Sequence, residues 1–418
     1  MAPERIETVI IGGGQAGLAT SYWLKQHGRE HIVLEKASQP GHAWRQRWDS
    51  FTLVTPNWMF RLPGAEYSGA DPDGFMPRDQ VIATFERYVT DNALPVSYGV
   101  DALAVEPGAG FRSAANEAPT YLIRTAQFAI EARNVVIATG LFQQAKIPAF
   151  ATGLPADVQQ LPSEHYRHPA MLPPGAVLVV GSGQSGCQIA EELRASGRRV
   201  FLSIGTCGRA PRRYRGKDIF EWLELIRFLD RTPAMLPSPK ARFGANPHVS
   251  GAGGGHDLNL HRFARDGITL LGHLRGAADD RIGLAPDLHE CLTKVDQFES
   301  QLLGMIDAAI ARNAIDAPEE QRPVLRDGYD QPQVAEVDIE AAGISSVIWA
   351  AGYRFDYGLV KLAVTDGDGF PLQQRGVTAH PGLYFVGMPW LHTQKSGLLA
   401  GVGDDAAFIA GHIAQRQG

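Results

Sequence analysis

The sequence predicts an α/β fold of two parallel-sheet units, the second inserted into the first, and three observations predict it. An apolar strand, a glycine-rich loop, a helix and a second strand follow one another near the start of the chain. The same order returns from Ala176 onwards, and apolar runs near the end bring the chain back to a sheet.

In the first unit Glu7 to Ile11 reads as a strand running into Gly12-Gly13-Gly14-Gln15-Ala16-Gly17. A helix over Leu18 to His27 is stopped by Gly28, and His31 to Leu34 is the next strand. Turn-rich segments follow at Leu62 to Pro77 and Glu106 to Pro119, then a strand Asn134 to Ala138 ending in Thr139-Gly140. The proline-rich stretch Ile147 to Pro174 suits a connection between domains. The second unit opens with a strand Ala176 to Val180 and the loop Gly181-Ser182-Gly183-Gln184-Ser185-Gly186. A helix Cys187 to Ala195, a stop at Gly197 and a strand Arg199 to Ser203 complete it. Beyond lie a polar region containing Gly251 to Gly255 and helical patches near Ile219 to Leu229 and Leu292 to Asn313. A strand Ser346 to Ala350 with Gly352, the run Gly382 to Gly387, and a closing helix from Gly397 or Asp404 to about Gln415 end the chain. The expected domains are 1–150 with 351–418, and 151–350 with a loop-rich insertion over 206–300.

Each glycine loop has the GxGxxG form of a Rossmann dinucleotide site. The first glycine permits the tight turn, the second lets a pyrophosphate approach the backbone, and the third lets helix and strand pack closely. The helix N-terminus then offers N–H groups and the positive end of its dipole to the phosphates. In the first unit these are Gly12, Gly14 and Gly17, with Gln15 and Ala16 between them. Glu35, beside Lys36, falls at the end of the second strand, where a carboxylate accepts the ribose hydroxyls of an unphosphorylated adenosine such as that of FAD. The second loop has Gly181, Gly183 and Gly186 with Gln184 and Ser185, but no acid follows. Ser203 there would tolerate a 2′-phosphate, and the downstream run Arg209, Arg212, Arg213, Arg215, Lys217 reads either as a phosphate site or as a solvated loop. NADPH is therefore expected in this unit, with NADH as the alternative.

Bulk properties narrow the partners. The chain of 418 residues exceeds one ordinary core. Its 39 basic and 45 acidic residues give a formal net charge of −6, which offers no drive towards nucleic acid or anionic membrane. No run approaches the ~20 apolar residues of a membrane helix, and the expectation is a cytoplasmic protein acting on small molecules. Cys187, Cys207 and Cys291 form no CxxC pair, so neither a disulfide framework, nor a zinc site, nor a disulfide reductase is suggested. GxSxG, HExxH and P-loop patterns are also missing.

With both units placed, the chain resembles the flavin-containing monooxygenases and related bacterial flavoprotein oxidoreductases with two dinucleotide-binding domains. The resemblance rests on Ile10 to Gly17, Pro40 to Trp48, Ile137 to Gly140, Val179 to Gly186, Trp349 to Tyr353 and Pro381 to Gly387. The linker departs from the family's Phe-x-Gly-x-x-x-His run, with Tyr166-Arg167 matching its end and Pro162 standing four residues before Tyr166. The resemblance implies that Trp44, Arg47 and Trp48 lie along FAD and that Thr139-Gly140 passes close to it. It also implies that Ala351-Gly352 marks the return from the second unit, and that Gly387 and the segment around Leu398 approach the flavin ring.

The implied chemistry is hydride transfer from NADPH to FAD, followed by dioxygen activation as a flavin C4a-hydroperoxide that oxygenates a small apolar or aromatic substrate. Asn57 is the catalytic candidate, with Pro56 as the alternative match and a turn role as the plain reading. Trp44, Trp48, Trp58 and Trp390 read as core or as an apolar wall, and His392, Lys395 and Ser396 as flavin-edge residues or a helix start. Two other readings stand: a reductase or oxidase that does not oxygenate, and a redox-sensing flavoprotein without catalysis.

Overall fold

A computed structural model of the chain describes residues 3–108 and 120–416, so most of the turn-rich segment Glu106 to Pro119 lies outside the described residues. The first unit begins with β1 (Glu4–Ile11), α1 (Gln15–Gln26) and β2 (His31–Glu35). After α2 (Arg78–Asp91) come β3 (Val96–Tyr98), β4 (Ala102–Pro107), β5 (Tyr121–Thr125) and β6 (Ala129–Ile137). The second contains β7 (Gln159–Pro162), β8 (Ala176–Val180), α3 (Gln184–Ala195), β9 (Val200–Ser203) and β10 (Thr269–Leu271). α4 (Leu288–Arg312) and β11 (Ile344–Trp349) follow. β12 (Leu383–Phe385) and α5 (Val402–Gln415) return to the first unit.

Five strands of the first sheet run parallel in the order β12-β6-β1-β2-β3, with β5 antiparallel to β6 and β4 antiparallel to β5. The second sheet is wholly parallel, ordered β7-β11-β8-β9-β10. Both central strands follow from sequence: parallel strands covered on both faces need near-continuous apolar runs, and every residue of Ala176–Val180 is buried. The closing helix starts at Val402, between the two expected positions, and packs on α1. No helix among the described residues is long and apolar enough to cross a membrane.

The two glycine loops are built alike. Gly12 and Gly181 both have φ of +108°, and a side chain on either would stand 2.5 Å from a carbonyl oxygen of the neighbouring strand end, Ala138 and Ala350 respectively. A Cβ on Gly17 would overlap the Gly12 carbonyl oxygen, and one on Gly186 would overlap that of Gly181. Each loop is thus closed by its own third glycine and pressed onto the adjacent strand by its first. Gly17→Ala or Gly186→Ala should cost roughly 1 to 3 kcal/mol or more, the scale of a core overpacked by one methyl. Denaturant unfolding of the purified variants, followed by circular dichroism, measures it.

Candidate functional site

The middle glycines differ from their neighbours in what surrounds them. Gly14 (φ −81°, ψ −172°) and Gly183 (φ −75°, ψ −170°) have backbone angles open to any residue, and nothing lies within 4 Å of where a side chain would begin. The protein's own packing does not demand glycine at these two positions. The space in front of them is a cradle that a Cβ would enter, as a pyrophosphate site requires. Gly14 and Gly183 are also the N-caps of α1 and α3, and neither helix carries a side-chain cap or an acid in its first turn. Both helix ends therefore keep their positive pole for a ligand.

Gln15 and Gln184, one residue further, tie each loop to a distant segment. Gln15 donates from Nε2 to the Gly397 carbonyl at 2.7 Å, bringing the approach to the closing helix over the first loop. Gln184 donates to the Val249 carbonyl at 2.8 Å and accepts from the Val249 N–H at 3.1 Å. Ala16 meets Gly387 (φ +88°), whose Cβ would overlap that of Ala16, so glycine is what lets the returning chain cross the helix start. Ser185, Thr139 and Leu398 are half-buried, whereas Lys36, Ala351 and Gly352 are exposed. Gly140 (φ +75°) and Gly352 (φ +84°) turn the chain after equivalent strands, again with open space in front.

Glu35 is buried at the end of β2. Its carboxylate accepts from the N–H of Gly13 at 2.6 Å and of Ala37 at 2.8 Å. A carboxylate has about four acceptor positions, so it retains capacity for a ribose. The second unit replaces this contact with its inverse: the Gly205 N–H donates to Ser182 Oγ at 3.0 Å.

Two expectations for the second unit are corrected. Ser203 is buried, and its hydroxyl donates to the Gly272 carbonyl at 2.9 Å, so it joins β9 to the end of β10 instead of facing a phosphate. Arg209 is buried too, with Nη1 2.7 Å from Asp296 and Nη2 2.6 Å from Glu299. The basic run is neither a phosphate clamp nor a solvated loop. Arg212 pairs with Asp218 and donates to the Val54 carbonyl, and Arg215 pairs with Asp307 at 2.8 Å. Arg213 alone of the three named arginines Arg209, Arg212 and Arg213 is exposed, on a hairpin with Lys217. Sequence cannot show the pairing of Arg209 and Arg215, because their acids lie on the distant helix α4. Burial alone would raise the Asp296 carboxyl, but hydrogen bonds from His261, Tyr329 and Arg209 outweigh it and hold the group down at about 2. Its folded pKa lies below the unfolded one, so its stabilisation holds above the unfolded value and is lost as pH falls towards 2.

Around the first loop the aromatic residues form packing. Trp48 is buried edge-on to Phe51, and Trp44 lies against Phe51 and Phe85. Arg47 is different. Its guanidinium stacks 4.4 Å from the Phe142 ring centroid, with Nε buried and without a hydrogen-bond partner among the described residues. Phe142 in turn meets Tyr353 edge-on at 5.0 Å, so Arg47 sits where the chain crosses between the units. Burial pushes its pKa down, yet a guanidinium stays charged, and its buried Nε is a place for an acceptor.

Asn57 is 5% exposed. Its Nδ2 donates to the Asp71 carbonyl at 2.9 Å, while Oδ1 is buried without a partner among the described residues. A buried unsatisfied acceptor calls for a missing donor. The preceding residues Leu53 and Val54 touch Gly251 and Arg212 of the inserted unit, and the same segment reaches Gln184 through Val249. Asn57 thus adjoins the contact between the units.

Before the closing helix, Ser396 Oγ accepts from the N–H groups of Thr393 (2.9 Å) and His392 (3.2 Å), and Lys395 pairs with Asp230 at 2.7 Å. These residues shape the turn. Trp390 there has φ of +68°, a strained value for a bulky side chain. Asp405, in the first turn of α5, went unread in the sequence. Both its oxygens are buried and unpartnered among the described residues, with His392 Nδ1 3.6 Å away, and burial pushes its carboxyl pKa up. An acid at a helix start looks in sequence like an ordinary capping residue.

Two mutations separate the roles. Gly14→Val should leave a folded protein with an unchanged unfolding transition in its flavin-free state but no retained flavin, read from absorbance after gel filtration. Arg209→Ala should cost about 3 to 5 kcal/mol, as breaking a buried pair does, and leave the ratio of NADPH to NADH utilisation unchanged. Urea titration and flavin-reduction rates with the two coenzymes check both halves.

The comparisons agree with this geometry. A family described as pyridine nucleotide-disulphide oxidoreductase matches residues 9–220, which include both glycine loops. The chain is 30% identical to an uncharacterized CzcO-like oxidoreductase of Geobacillus kaustophilus, over 98% of each chain. Its fold is similar to that of a flavin-containing monooxygenase from Stenotrophomonas maltophilia, with a TM-score of 0.68 at 19% identity over 98% of each chain. It is also similar to an ornithine N-hydroxylase of Kutzneria sp. 744, titled with reduced FAD, NADP+ and L-ornithine, with a TM-score of 0.64 at 18% identity over 99% and 100% of the two chains. The comparisons support the cofactor pair expected from the sequence, FAD and NADPH. The chain belongs to the pyridine nucleotide-disulphide oxidoreductase family.

Proposed function

We propose that the chain is an NADPH-dependent FAD monooxygenase of a small apolar or aromatic molecule. The observation that carries the reading is the pair of open cradles at Gly14 and Gly183, joined to the state of the cysteines. All three thiols are free, and burial pushes Cys207 up to about 12 and Cys291 up to about 11, with Cys187 raised as well. Thiols so far from ionisation are poor nucleophiles. Electrons from a bound flavin therefore have no thiolate relay in this chain and leave to a small acceptor.

Together the cofactors supply hydride transfer and the activation of dioxygen. The chain's residues supply the setting. α1 and α3 direct their N-termini at the two pyrophosphates, and Glu35 takes the ribose of the first cofactor. Arg47, already desolvated, neutralises an anionic group where the units meet. Asn57 Oδ1 accepts an N–H or O–H from a bound molecule. Trp44, Trp48 and Phe51 pack on one another on the segment that carries Arg47.

Anaerobic NADPH should bleach the flavin, and admission of oxygen with a panel of aromatic amines, sulfides and ketones should yield an oxygenated product. Hydrogen peroxide should then fall well below the NADPH consumed. Stoichiometric peroxide with every compound would instead assign an oxidase, and an unbleached flavin would remove both enzymatic readings. Asn57→Leu, which keeps the size but removes the Oδ1 acceptor, should slow product formation about tenfold or more, the scale of one lost polar contact to a reacting group.

A further inference from the structure

Ser203 and Arg209 are occupied, which leaves the exposed Arg213 and residues outside the basic run as partners for the 2′-phosphate of NADPH. We propose that His273, held from behind by Asp287, is the residue that receives it. The inference rests on the NADPH reading above and names the residue that reads the coenzyme.

The placement follows from strand order. Adenosine recognition in such a unit occurs where the second strand ends, here at Ser203-Ile204-Gly205. β10 runs beside β9 with Ser203 opposite Leu271, so Gly272 and His273 emerge next to Ile204 and Gly205. The Ser203 hydroxyl bond to Gly272 fastens the two ends, and the Gly205 bond to Ser182 fastens them to the glycine loop. His273 Nε2 lies 3.5 Å from where a Gly205 side chain would begin, so the imidazole edge fills the position where the first unit has its acid nearby.

The ring is oriented for this task. Asp287 accepts from His273 Nδ1 at 2.8 Å and from its backbone N–H at 3.0 Å. That leaves Nε2, which has no hydrogen bond among the described residues, as the ring's unengaged nitrogen. The side chain is 49% exposed, unlike the buried Arg209. A phosphate beside Nε2 is held by a charge-assisted bond when the ring carries both protons. Arg275, two residues on and exposed, adds a second cation at the same lip.

Cys291 Sγ lies 3.7 Å from His273 Nδ1, so the same cluster presents nitrogen, oxygen and sulfur within 4.8 Å of one another. A divalent metal is therefore the competing occupant, and the experiment includes it. Adenosine 2′,5′-bisphosphate and 5′-AMP are titrated calorimetrically into the flavin-loaded wild type, His273→Ala and His273→Lys, with retained flavin absorbance confirming the fold. His273→Ala should weaken the bisphosphate about ten- to a hundredfold, the loss of one charge-assisted bond, and leave 5′-AMP within about twofold. His273→Lys should restore most of the difference. If wild type favours the bisphosphate and His273→Ala keeps that preference, this inference falls and the NADPH reading stands. If wild type binds the two equally, or neither, the NADPH reading falls and takes this inference with it. Stoichiometric zinc binding that is lost in both His273→Ala and Cys291→Ala, and that abolishes no bisphosphate preference, would also overturn it.

Discussion

The closure of each glycine loop on itself is the contact from which the remaining site geometry follows. Gly17 sits against the Gly12 carbonyl and Gly186 against that of Gly181, closer than any side chain permits. That approach draws the helix start towards the strand end and aims α1 and α3 along the edge of their sheets. It also leaves the middle glycine projecting into open space. First and third glycines are demanded by the protein's own packing, while the second is not. One loop motif thus contains two kinds of glycine, and the empty surroundings of Gly14 and Gly183 distinguish them.

The basic run after β9 shows how a surface-looking sequence becomes interior. Burying Arg209 and Arg212 costs several kcal/mol each in desolvation, and only well-placed carboxylates offset it. Those carboxylates, Asp296 and Glu299 on α4 and Asp218 at the turn, are present at bonding distance. Arg212 also reaches the Val54 carbonyl of the first unit. The run fastens the insertion to its own long helix and, through that contact, to the segment leading to Asn57.

Buried polar atoms without a partner occur in many parts of the described residues, and three of the residues that carry them belong to the candidate site. The Arg47 Nε, the Asn57 Oδ1 and the Asp405 carboxylate are all buried and unmatched. Structural polar atoms elsewhere, such as those of Glu35, Ser203 and Arg198, are matched to backbone groups. Others, such as Trp23 Nε1 and Ser346 Oγ, belong to neither group, so an unmatched atom marks a ligand position only where other geometry points there too.

The sequence by itself determined the two strand–loop–helix–strand units, the glycines that shape them and the acid at Glu35. Each is a local consequence of backbone freedom, apolar periodicity and short spacing. It also determined the neutral end of β9, which separates the second unit from the first. Tertiary structure decided what the charged and polar residues do. Arg209 became a buried ion pair because Asp296 and Glu299 arrive from α4, far along the chain, and Ser203 a strand tie because β10 ends beside it. His273 gained a directed nitrogen because Asp287 lies behind its ring. Local periodicity encodes which residues form an element. The partner of a side chain is set by which elements meet, and that depends on long-range packing that no window of sequence contains.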